Sequence, residues 1–383
     1  MITAQIKGTP LDQSAASFDG MADALRLSLV SGIGPRIRKL LLERFGSPSA
    51  VFAAAPADLR CVQGVGAELT RRIAVAREEI DVQAELDLCA ASGIRILGDS
   101  EADYPRALRE IDDPPGILFL RGELLPQDAL AIAVVGSRHA TQYGLAQAER
   151  LAGSLARAGF TIVSGLARGI DAAAHRGALA AGGRTLAVLG SGLLNLYPPE
   201  HAELAEQIWN QGAVMSEAPP RSPPLSGAFP QRNRIITGLS LGVLVVEAST
   251  KSGALISARH AMEQNREVFA VPGRVDNRMA RGCHRLIRDG AKLVETADDI
   301  LEELGPLAAP AERGDGEAIH HPAELLLNEL EQKVLAAITS DPSTIDAVVV
   351  ASGLPTGQVL STISVLEMRR LVRRISGNSI ARV

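Results

Sequence analysis

The stretch that decides the fold is LAIAVVGSRHATQYGLAQAERLAGSLARAGFTIVSGLARG, residues 130–169. Two short apolar runs, LAIAVVG and FTIVS, flank a longer stretch with the composition of a helix. A strand, a helix and a second strand in this order are typical of a parallel βαβ unit. Each run is apolar at consecutive positions, which indicates a strand that is buried on both faces of its sheet.

The same alternation continues as far as Leu304. Further β-rich runs are separated by helical segments, and they read RTLAVLG, GAVMSE, GVLVVEA, EVFAVPG and AKLVE. Strands that alternate with helices in this way predict an α/β core, a Rossmann-like doubly wound parallel sheet. We assign residues 92–304 to this core.

The N-terminal part is helical, and we assign residues 21–91 to an all-α domain of the helix–hairpin–helix, SAM-like type. Residues 27–45 (LSLVSGIGPRIRKLLLERF) resemble residues 59–77 (LRCVQGVGAELTRRIAVAR), each with a Gly-apolar-Gly turn between two helices. Such a turn exposes backbone N–H groups at a helix start, where a phosphate can bind. The alternative is that the glycines only close a helical hairpin. Residues 1–20 are polar and predict a loose arm.

The C-terminal part follows a linker. Residues 305–322 are rich in Pro, Gly and charge, as linkers are. Three helical stretches and a terminal hairpin over residues 323–383 predict a winged-helix domain. The helix that begins near Pro355 would be the recognition helix of this domain, and it carries mostly Thr, Ser, Gln and Val. Basic residues are gathered at its end: Arg369, Arg370, Arg373 and Arg374. Contact with a protein or a supporting role is as good an interpretation as contact with DNA.

Composition and charge exclude several classes of protein. The formal net charge of −5 argues against a protein that coats nucleic acid, but residues 221–290 carry 11 Arg and Lys against 5 Asp and Glu. The three cysteines are far apart, which indicates reduced thiols and a cytoplasmic protein. No N-terminal apolar segment and no run of 18 apolar residues occurs, so we expect neither secretion nor membrane insertion.

Two strand-ending loops near the start of the core predict an anion site, because ligands bind at the carboxyl ends of parallel strands. The first loop holds Gly136, Ser137 and Arg138, which offer an open backbone, a hydroxyl and a bidentate donor. It is not GxGxxG, so we expect no nicotinamide cofactor. The second loop contributes a glycine-rich turn and another cation: Gly165, Arg168 and Gly169. Beyond it we expect Asp171 to cap a helix and to hydrogen-bond a structural His175, in preference to acid–base work.

Two later loops add cations, an aromatic ring and a helix start. The run FPQRNRIITGLS supplies Phe229, Arg232, Asn233 and Arg234, a set that suits a phosphate backbone with an unstacked base. The alternative is that an arginine of this run caps a neighbouring helix or pairs with Glu217 or Glu247. The run VVEASTKSGALISARHAME supplies Lys251 and Ser252 at the start of a helix. In this run Glu247 can be read as a catalytic base or as an ion-pair partner that orients Arg232 or Arg234. Four polar loops at one sheet edge favour an extended anionic ligand.

The runs VVGSR, SGLARGIDAAAH, FPQRNRIITGLS, SGALISAR and VFAVPGR strongly resemble the DprA (Smf) family of DNA-processing proteins. The resemblance covers residues 99–295, and the flanking regions suit that family's helical and winged-helix extensions. Arg168 stands where the family commonly has Lys. Ala254 and Ser257 replace Ser-like and Thr-like positions.

The resemblance implies a cytoplasmic homodimer, formed through the Rossmann domain, that binds single-stranded DNA during natural transformation. It implies protection of incoming strands and loading of RecA, with no catalytic residue, metal or cofactor. It also implies that Gly136, Ser137 and Arg138 correspond to the family's phosphate-binding loop, and Asn233, Arg234 and Lys251 fall in the other runs that carry the resemblance. We expect all of these residues to contact the strand. The competing hypothesis is a nucleotide phosphoribohydrolase of the lysine-decarboxylase-like (LOG) type. That class has PGGxGTxxE where this chain reads EASTKSGALIS, and the missing PGG and displaced acid count against it.

Overall fold

The structure is a computed structural model of the 383-residue chain. It describes residues 11–304, 311–312, 318–319, 329–339, 343–368, 371–376 and 379–382. The predicted fold class is confirmed: an α/β core lies between a helical domain and a winged-helix domain.

The helical domain is built from two copies of a helical hairpin. Gly32 and Gly64 adopt positive φ (100° and 90°), and the next helix of each hairpin begins directly after Gly34 and Gly66. The predicted loose arm is wrong in part, because the first helix already begins at Leu11. The helices described here are α1 (Leu11–Leu29), α2 (Pro35–Phe45), α3 (Pro48–Ala53), α4 (Pro56–Arg60), α5 (Ala67–Glu79) and α6 (Val82–Ala91).

The core is one nine-stranded sheet whose order is β1-β2-β6-β5-β4-β3-β7-β8-β9. From β6 to β9 along this order all neighbours are parallel, as predicted. The antiparallel pairs β1–β2 and β2–β6, which extend the sheet at one edge, were not predicted from the sequence. The strands are β1 (Arg95–Gly98), β2 (Ile117–Gly122), β3 (Ala131–Val135), β4 (Thr161–Ser164), β5 (Thr185–Leu189), β6 (Ala213–Ser216), β7 (Gly242–Val245), β8 (Glu267–Ala270) and β9 (Lys292–Leu293).

Helices cover both faces of this sheet, as the unbroken apolar strands require. Alternate residues of β3 separate the two layers: Ile132 and Val134 face α8 and α9, whereas Ala133 and Val135 face α11 and α12. The helices of the core are α7 (Arg106–Arg109), α8 (Gln142–Arg157), α9 (Ile170–Ala180), α10 (Ala202–Gln211), α11 (Ala228–Gly238), α12 (Ala254–Glu263), α13 (Arg281–Arg288) and α14 (Ala297–Leu304).

The order of strands reverses between β3 and β7. From β3 the chain proceeds through β4, β5 and β6 in one direction, and β7 returns to the other side of β3 and leads to β8 and β9. Loops at the carboxyl ends of such a pair diverge and leave a crevice, which is the usual ligand site of a doubly wound sheet. The loops after β3 and β7 therefore lie at the switch point and the loop after β4 lies beside it, whereas α11, which follows β6, reaches the same region by packing against α12.

The C-terminal domain has its own apolar core, formed by residues such as Val348, Val359 and Ile380. Arg373 and Arg374 lie in the C-terminal hairpin and not at the end of the predicted recognition helix. Arg374 pairs with Glu367. The predicted linker lies largely outside the described residues. The elements are β10 (Ala311–Glu312), β11 (Ala318–Ile319), α15 (Glu329–Ala336), β12 (Ser343–Thr344), α16 (Ile345–Ser352), α17 (Thr356–Met368), β13 (Val372–Ser376) and β14 (Ser379–Arg382).

Two exclusions made from the sequence concern thiols and membranes. Cys61, Cys89 and Cys283 are all free thiols. Across the described ranges, no single helix has both the length and the apolar composition needed to cross a membrane. One pair bent by 111°, Ile345–Ser352 with Thr356–Glu367, meets the criterion by length and composition together.

Candidate nucleic-acid interface

The loop after β3 is held so that its arginine faces solvent. The N–H of Ser137 donates to the carbonyl of Glu247 at 2.7 Å, and the Ser137 hydroxyl accepts from the N–H of His139. A Cβ at Gly136 would lie 2.5 Å from the Ile170 side chain, so only glycine fits there. Arg138 is exposed at the tip of this loop. The loop thus presents one cation on a backbone that is fixed at both sides.

The loop after β4 packs directly beneath it. Gly169 has φ +78°, and a Cβ at this position would overlap the carbonyl of Ser137. A Cβ at Gly165 would overlap the guanidinium of Arg232. The two glycines are therefore required for close approach of neighbouring segments. Arg168 lies outside this contact, is exposed, and donates from Nε to Glu200 at 2.5 Å.

An aromatic pair lies between the two exposed arginines. The rings of Tyr197 and Phe229 are 5.8 Å apart at an angle of 55°. The guanidinium of Arg138 lies 4.9 Å from the Phe229 centroid, and that of Arg168 lies 5.7 Å from the Tyr197 centroid. Tyr197 was not predicted. Its position in the segment after β5, which ends at the same sheet edge, is the signal that could have identified it.

Arg232 and Arg234 are buried side chains, and Arg234 forms the ion pair with Glu217 that was the alternative to a phosphate contact. Nη1 of Arg232 donates to the carbonyls of Gly165 and Val188. The Arg234 side chain is 4% exposed and forms ion pairs at 2.9 Å and 2.8 Å with Asp113 and Glu217. Both residues lie beyond Phe229 on α11, and their side chains are buried against neighbouring segments. Their main role in this geometry is to join α11 to the sheet.

The loop after β7 closes the other side. The Ser252 hydroxyl, just before α12, accepts from the N–H of Ala254 at 3.3 Å, and Lys251 is exposed beside it. The amide of Asn233 reaches the carbonyl of Gly253 at 3.5 Å and accepts from Nε of Arg232. The middle of α11 is thereby linked to the start of α12.

These loops enclose a groove of about 660 Å³. Seven of the predicted residues line it: Gly136, Ser137, Arg138, Phe229, Arg232, Asn233 and Ser252. The other five do not line it, although most lie next to it: Gly165, Arg168, Gly169, Arg234 and Lys251. Tyr197 and Asp171 also line the groove. Cations, two aromatic rings and helix starts therefore converge, as an anionic ligand with unstacked bases requires.

Glu247 occupies a structural position rather than that of a base. It is 2% exposed and its carboxylate accepts from the N–H and the hydroxyl of Thr141 at 2.8 Å and 2.7 Å. Asn277 donates to the same carboxylate at 3.4 Å. Neither arginine of α11 is its partner, so the predicted ion pair with Arg232 or Arg234 is wrong. Glu247 pins the start of α8 to the switch point.

We expected a hydrogen bond between Asp171 and His175, but each of these side chains bonds a different partner. Asp171 lies within the first turn of α9 and accepts from the N–H of Ala167 at 3.4 Å. Burial raises the pKa of its carboxyl group, and the charge of Arg232 opposes that rise. Burial also lowers the pKa of Arg232 to about 10, which the charge of Asp171 counteracts. The two groups both line the groove, and each favours the charged form of the other.

His175 is fully buried and bonded to Thr185 at 2.6 Å. The Thr185 hydroxyl already donates to the carbonyl of Ile162 at 2.7 Å, so Nδ1 of His175 must be the donor to Thr185. Burial lowers the pKa of His175 to about 3. His175 is thus a neutral residue of the core, which agrees with the structural role expected for it and not with acid–base work.

Two cations of the helical domain, Arg38 and Lys39, contact the core. Arg38 donates to the Asp99 carboxylate at 2.5 Å and to the carbonyl of Pro114 at 3.2 Å, and Lys39 pairs with Asp112. These bonds join α2 to the segments around β1 and β2. The first hairpin is in this way docked on the core.

Sequence comparison agrees with each part of this architecture. The family described as DNA recombination-mediator protein A matches residues 95–305. The DprA winged helix domain matches residues 319–378, and the SAM-like helix-hairpin-helix tandem matches residues 24–79. Protein Smf of Synechocystis sp. is 36% identical over 384 residues, which cover 92% of this chain and 96% of that protein.

Solved structures show the same likeness. The DNA processing protein A (DprA) of Streptococcus pneumoniae superposes with a TM-score of 0.62 at 35% identity, over 73% of this chain and 95% of that one. The DNA processing protein A of Helicobacter pylori, studied for its single-stranded DNA binding mode, superposes with a TM-score of 0.50 at 30% identity. This match covers 55% of this chain and 95% of that one. On the match over residues 95–305 and the near full-length similarity to Smf, this chain belongs to the DNA recombination-mediator protein A family.

Proposed function

We propose that this protein binds single-stranded DNA in the groove between the loops after β3, β4 and β7. The observation that carries the proposal is the pair of exposed arginines stacked on the Phe229–Tyr197 aromatic pair. Guanidinium groups bind phosphates, and aromatic faces stack on bases of any sequence. The single-stranded DNA binding mode described for the Helicobacter pylori relative supports the same ligand class.

The proposal is binding without turnover. Glu247, the acid best placed for catalysis by sequence, has its carboxylate occupied by Thr141 and Asn277 and is sealed from the groove. By the family resemblance we further propose that the protein acts in the cytoplasm as a homodimer joined through the Rossmann domain. Its task there is to protect incoming strands and to load the RecA recombinase in transformation and recombination.

The test compares a fluorescent oligo-dT with the matching duplex across a salt series. A strand held by ~4 phosphate contacts gives a log–log slope of affinity against salt near −3. Strand-selective binding with such a slope supports the proposal, and a slope near zero contradicts it. Release of free base from nucleoside monophosphates would favour the phosphoribohydrolase hypothesis instead.

A further inference from the structure

A second cavity lies beside the groove at the switch point. It measures about 690 Å³ and is lined by residues from the start of α8 and from the segment after β8: Thr141, Tyr143, Pro272, Gly273, Arg274, Asp276 and Asn277. Residues 136–139 line the groove, whereas Thr141 and Tyr143 line this cavity. The loop after β3 is therefore the wall between the two sites.

Tyr143 has an unusual position for an aromatic residue of this chain. The whole sequence holds seven Phe, three Tyr and one Trp. Of the aromatic side chains that the structure describes, Tyr143 alone is exposed, to 48%. Its hydroxyl donates to the carbonyl of Pro272 at 3.2 Å. The hydrogen bond holds the edge of the ring against the segment after β8 while the ring stays open to solvent, as a stacking surface requires.

The cavity also carries cations that a phosphate can reach. Arg274 pairs with Asp276 at 2.9 Å, and both side chains are largely exposed. Exposed pairs of this kind are weak, so Arg274 can exchange its partner for a phosphate. Arg278 is exposed in the same segment, and Met279, which follows it, lines the groove. The segment that carries Arg274 and Arg278 therefore leads from the cavity beside Tyr143 to the edge of the groove.

From this arrangement we propose that Tyr143 and Arg274 form a second nucleotide-binding subsite for the strand that occupies the groove. The strand crosses the loop after β3 at Arg138, and a base beyond the crossing stacks on Tyr143. This inference rests on the proposed single-strand binding and extends it to a longer path. Glu247 fixes the position of this loop, because its carboxylate bonds Thr141 on one side and Asn277 on the other.

The test measures how affinity depends on strand length in the full chain. An oligo-dT of about five nucleotides reaches one subsite and one of about fifteen reaches both. Tyr143→Ala should leave the affinity for the short strand unchanged and lower that for the long strand by about five- to tenfold. Tyr143→Phe, which keeps the ring, should stay within about twofold of wild type. Val350→Ala removes an exposed apolar side chain of the winged-helix domain, where Val350 is 83% exposed, and serves as the control.

A second measurement guards against an indirect effect. In Tyr143→Trp the added indole should be quenched by the long strand and not by the short one, with wild type giving the signal of Trp209. Equal length dependence in Tyr143→Ala and wild type would overturn the subsite while leaving single-strand binding intact. If the wild-type protein bound neither the short nor the long strand, both the subsite and the proposed single-strand binding would be overturned. A loss of long-strand affinity together with altered sedimentation would place Tyr143 at a contact between copies of the chain and overturn the inference.

Discussion

Arg138 combines exposure with a fixed position. Its guanidinium lies over the Phe229 ring, and among the described residues no carboxylate lies within ion-pairing distance of it. The contact with the ring orients the guanidinium while leaving its N–H groups available. Such a group can receive a phosphate without first losing a partner. Arg168, paired with Glu200, must exchange one.

We therefore expect Arg138→Ala to weaken binding of oligo-dT and oligo-dC equally, by about tenfold, because a phosphate contact carries no sequence information. The log–log salt slope should become shallower by about 0.7. Fluorescence anisotropy measures both quantities. Arg106→Ala is the matched control, since that side chain is 91% exposed and pairs with Glu110 away from the groove. An unchanged affinity in Arg138→Ala would remove this loop from the site.

His175 makes the stability of the core depend on pH. Its Nδ1–H donates to Thr185, and Nε2 has no partner within the described part of the chain. Burial disfavours the charged imidazolium and lowers the pKa of His175 from 6.5 to about 3, and the nearby positive charges of His201, Arg232 and Arg176 contribute to this lowering. Because the folded pKa lies below the unfolded one, the stabilisation is complete above pH 6.5 and is lost as pH falls towards 3.

The predicted cost of lowering pH from 7 to 5 is about 2 kcal/mol in the free energy of unfolding from this residue. Urea denaturation at the two values measures it. His175→Gln cannot take up the proton and should lose less stability over the same interval, although it starts from a lower value. Equal pH dependence in the two proteins would show that other groups dominate the acid response.

Helix α11 is joined to the sheet by Arg234. Asp113 lies before β2 and Glu217 follows β6, and their two ion pairs bring together segments that are distant in the chain. Since the guanidinium is almost fully buried, removing it leaves two partly buried carboxylates without a counter-charge.

Arg234→Ala should therefore lower the free energy of unfolding by about 3 kcal/mol. Any loss of DNA binding should follow that destabilisation and be smaller at low temperature. Chemical denaturation and binding measured on the same preparation separate the two effects, with Arg106→Ala again as the control. Loss of binding at unchanged stability would return Arg234 to the set of phosphate contacts.

The elements that were predictable from the sequence are those with local signals. Strands β3 to β8 are apolar runs between helical segments, and the glycine turns of the helical domain repeat at a fixed spacing. Strands β1 and β2 were missed because their antiparallel pairing depends on β6, which is distant in sequence. The same limit applies to the site. A motif shows that Arg232 and Arg234 exist, but only the packing of α11 decides that they turn inward while Phe229 faces the groove.

For the whole molecule, the question is which domain holds the strand. The helical domain uses Arg38 and Lys39 to dock on the core, so these cations are already engaged. In the winged-helix domain the described exposed face of α17 is uncharged, with residues such as Gln358, Leu360 and Ser361. In the groove of the core, by contrast, the exposed cations Arg138 and Arg168 lie over the rings of Phe229 and Tyr197, where a strand can meet charge and stacking surface together.

Deletion of residues 306–383 should leave the affinity for oligo-dT within about twofold of the full chain, since every residue that lines the groove lies between Val135 and Met279. The deletion is tolerable because the winged-helix domain has a separate apolar core, and none of the core residues of the sheet comes from it. A thermal melt that matches the full chain's main transition controls for folding of the shortened protein. Complete loss of binding at an unchanged melt would move the site into the C-terminal domain. Retained binding with a salt slope near −3 would instead place all the phosphate contacts on the sheet edge, where β3 and β7 diverge.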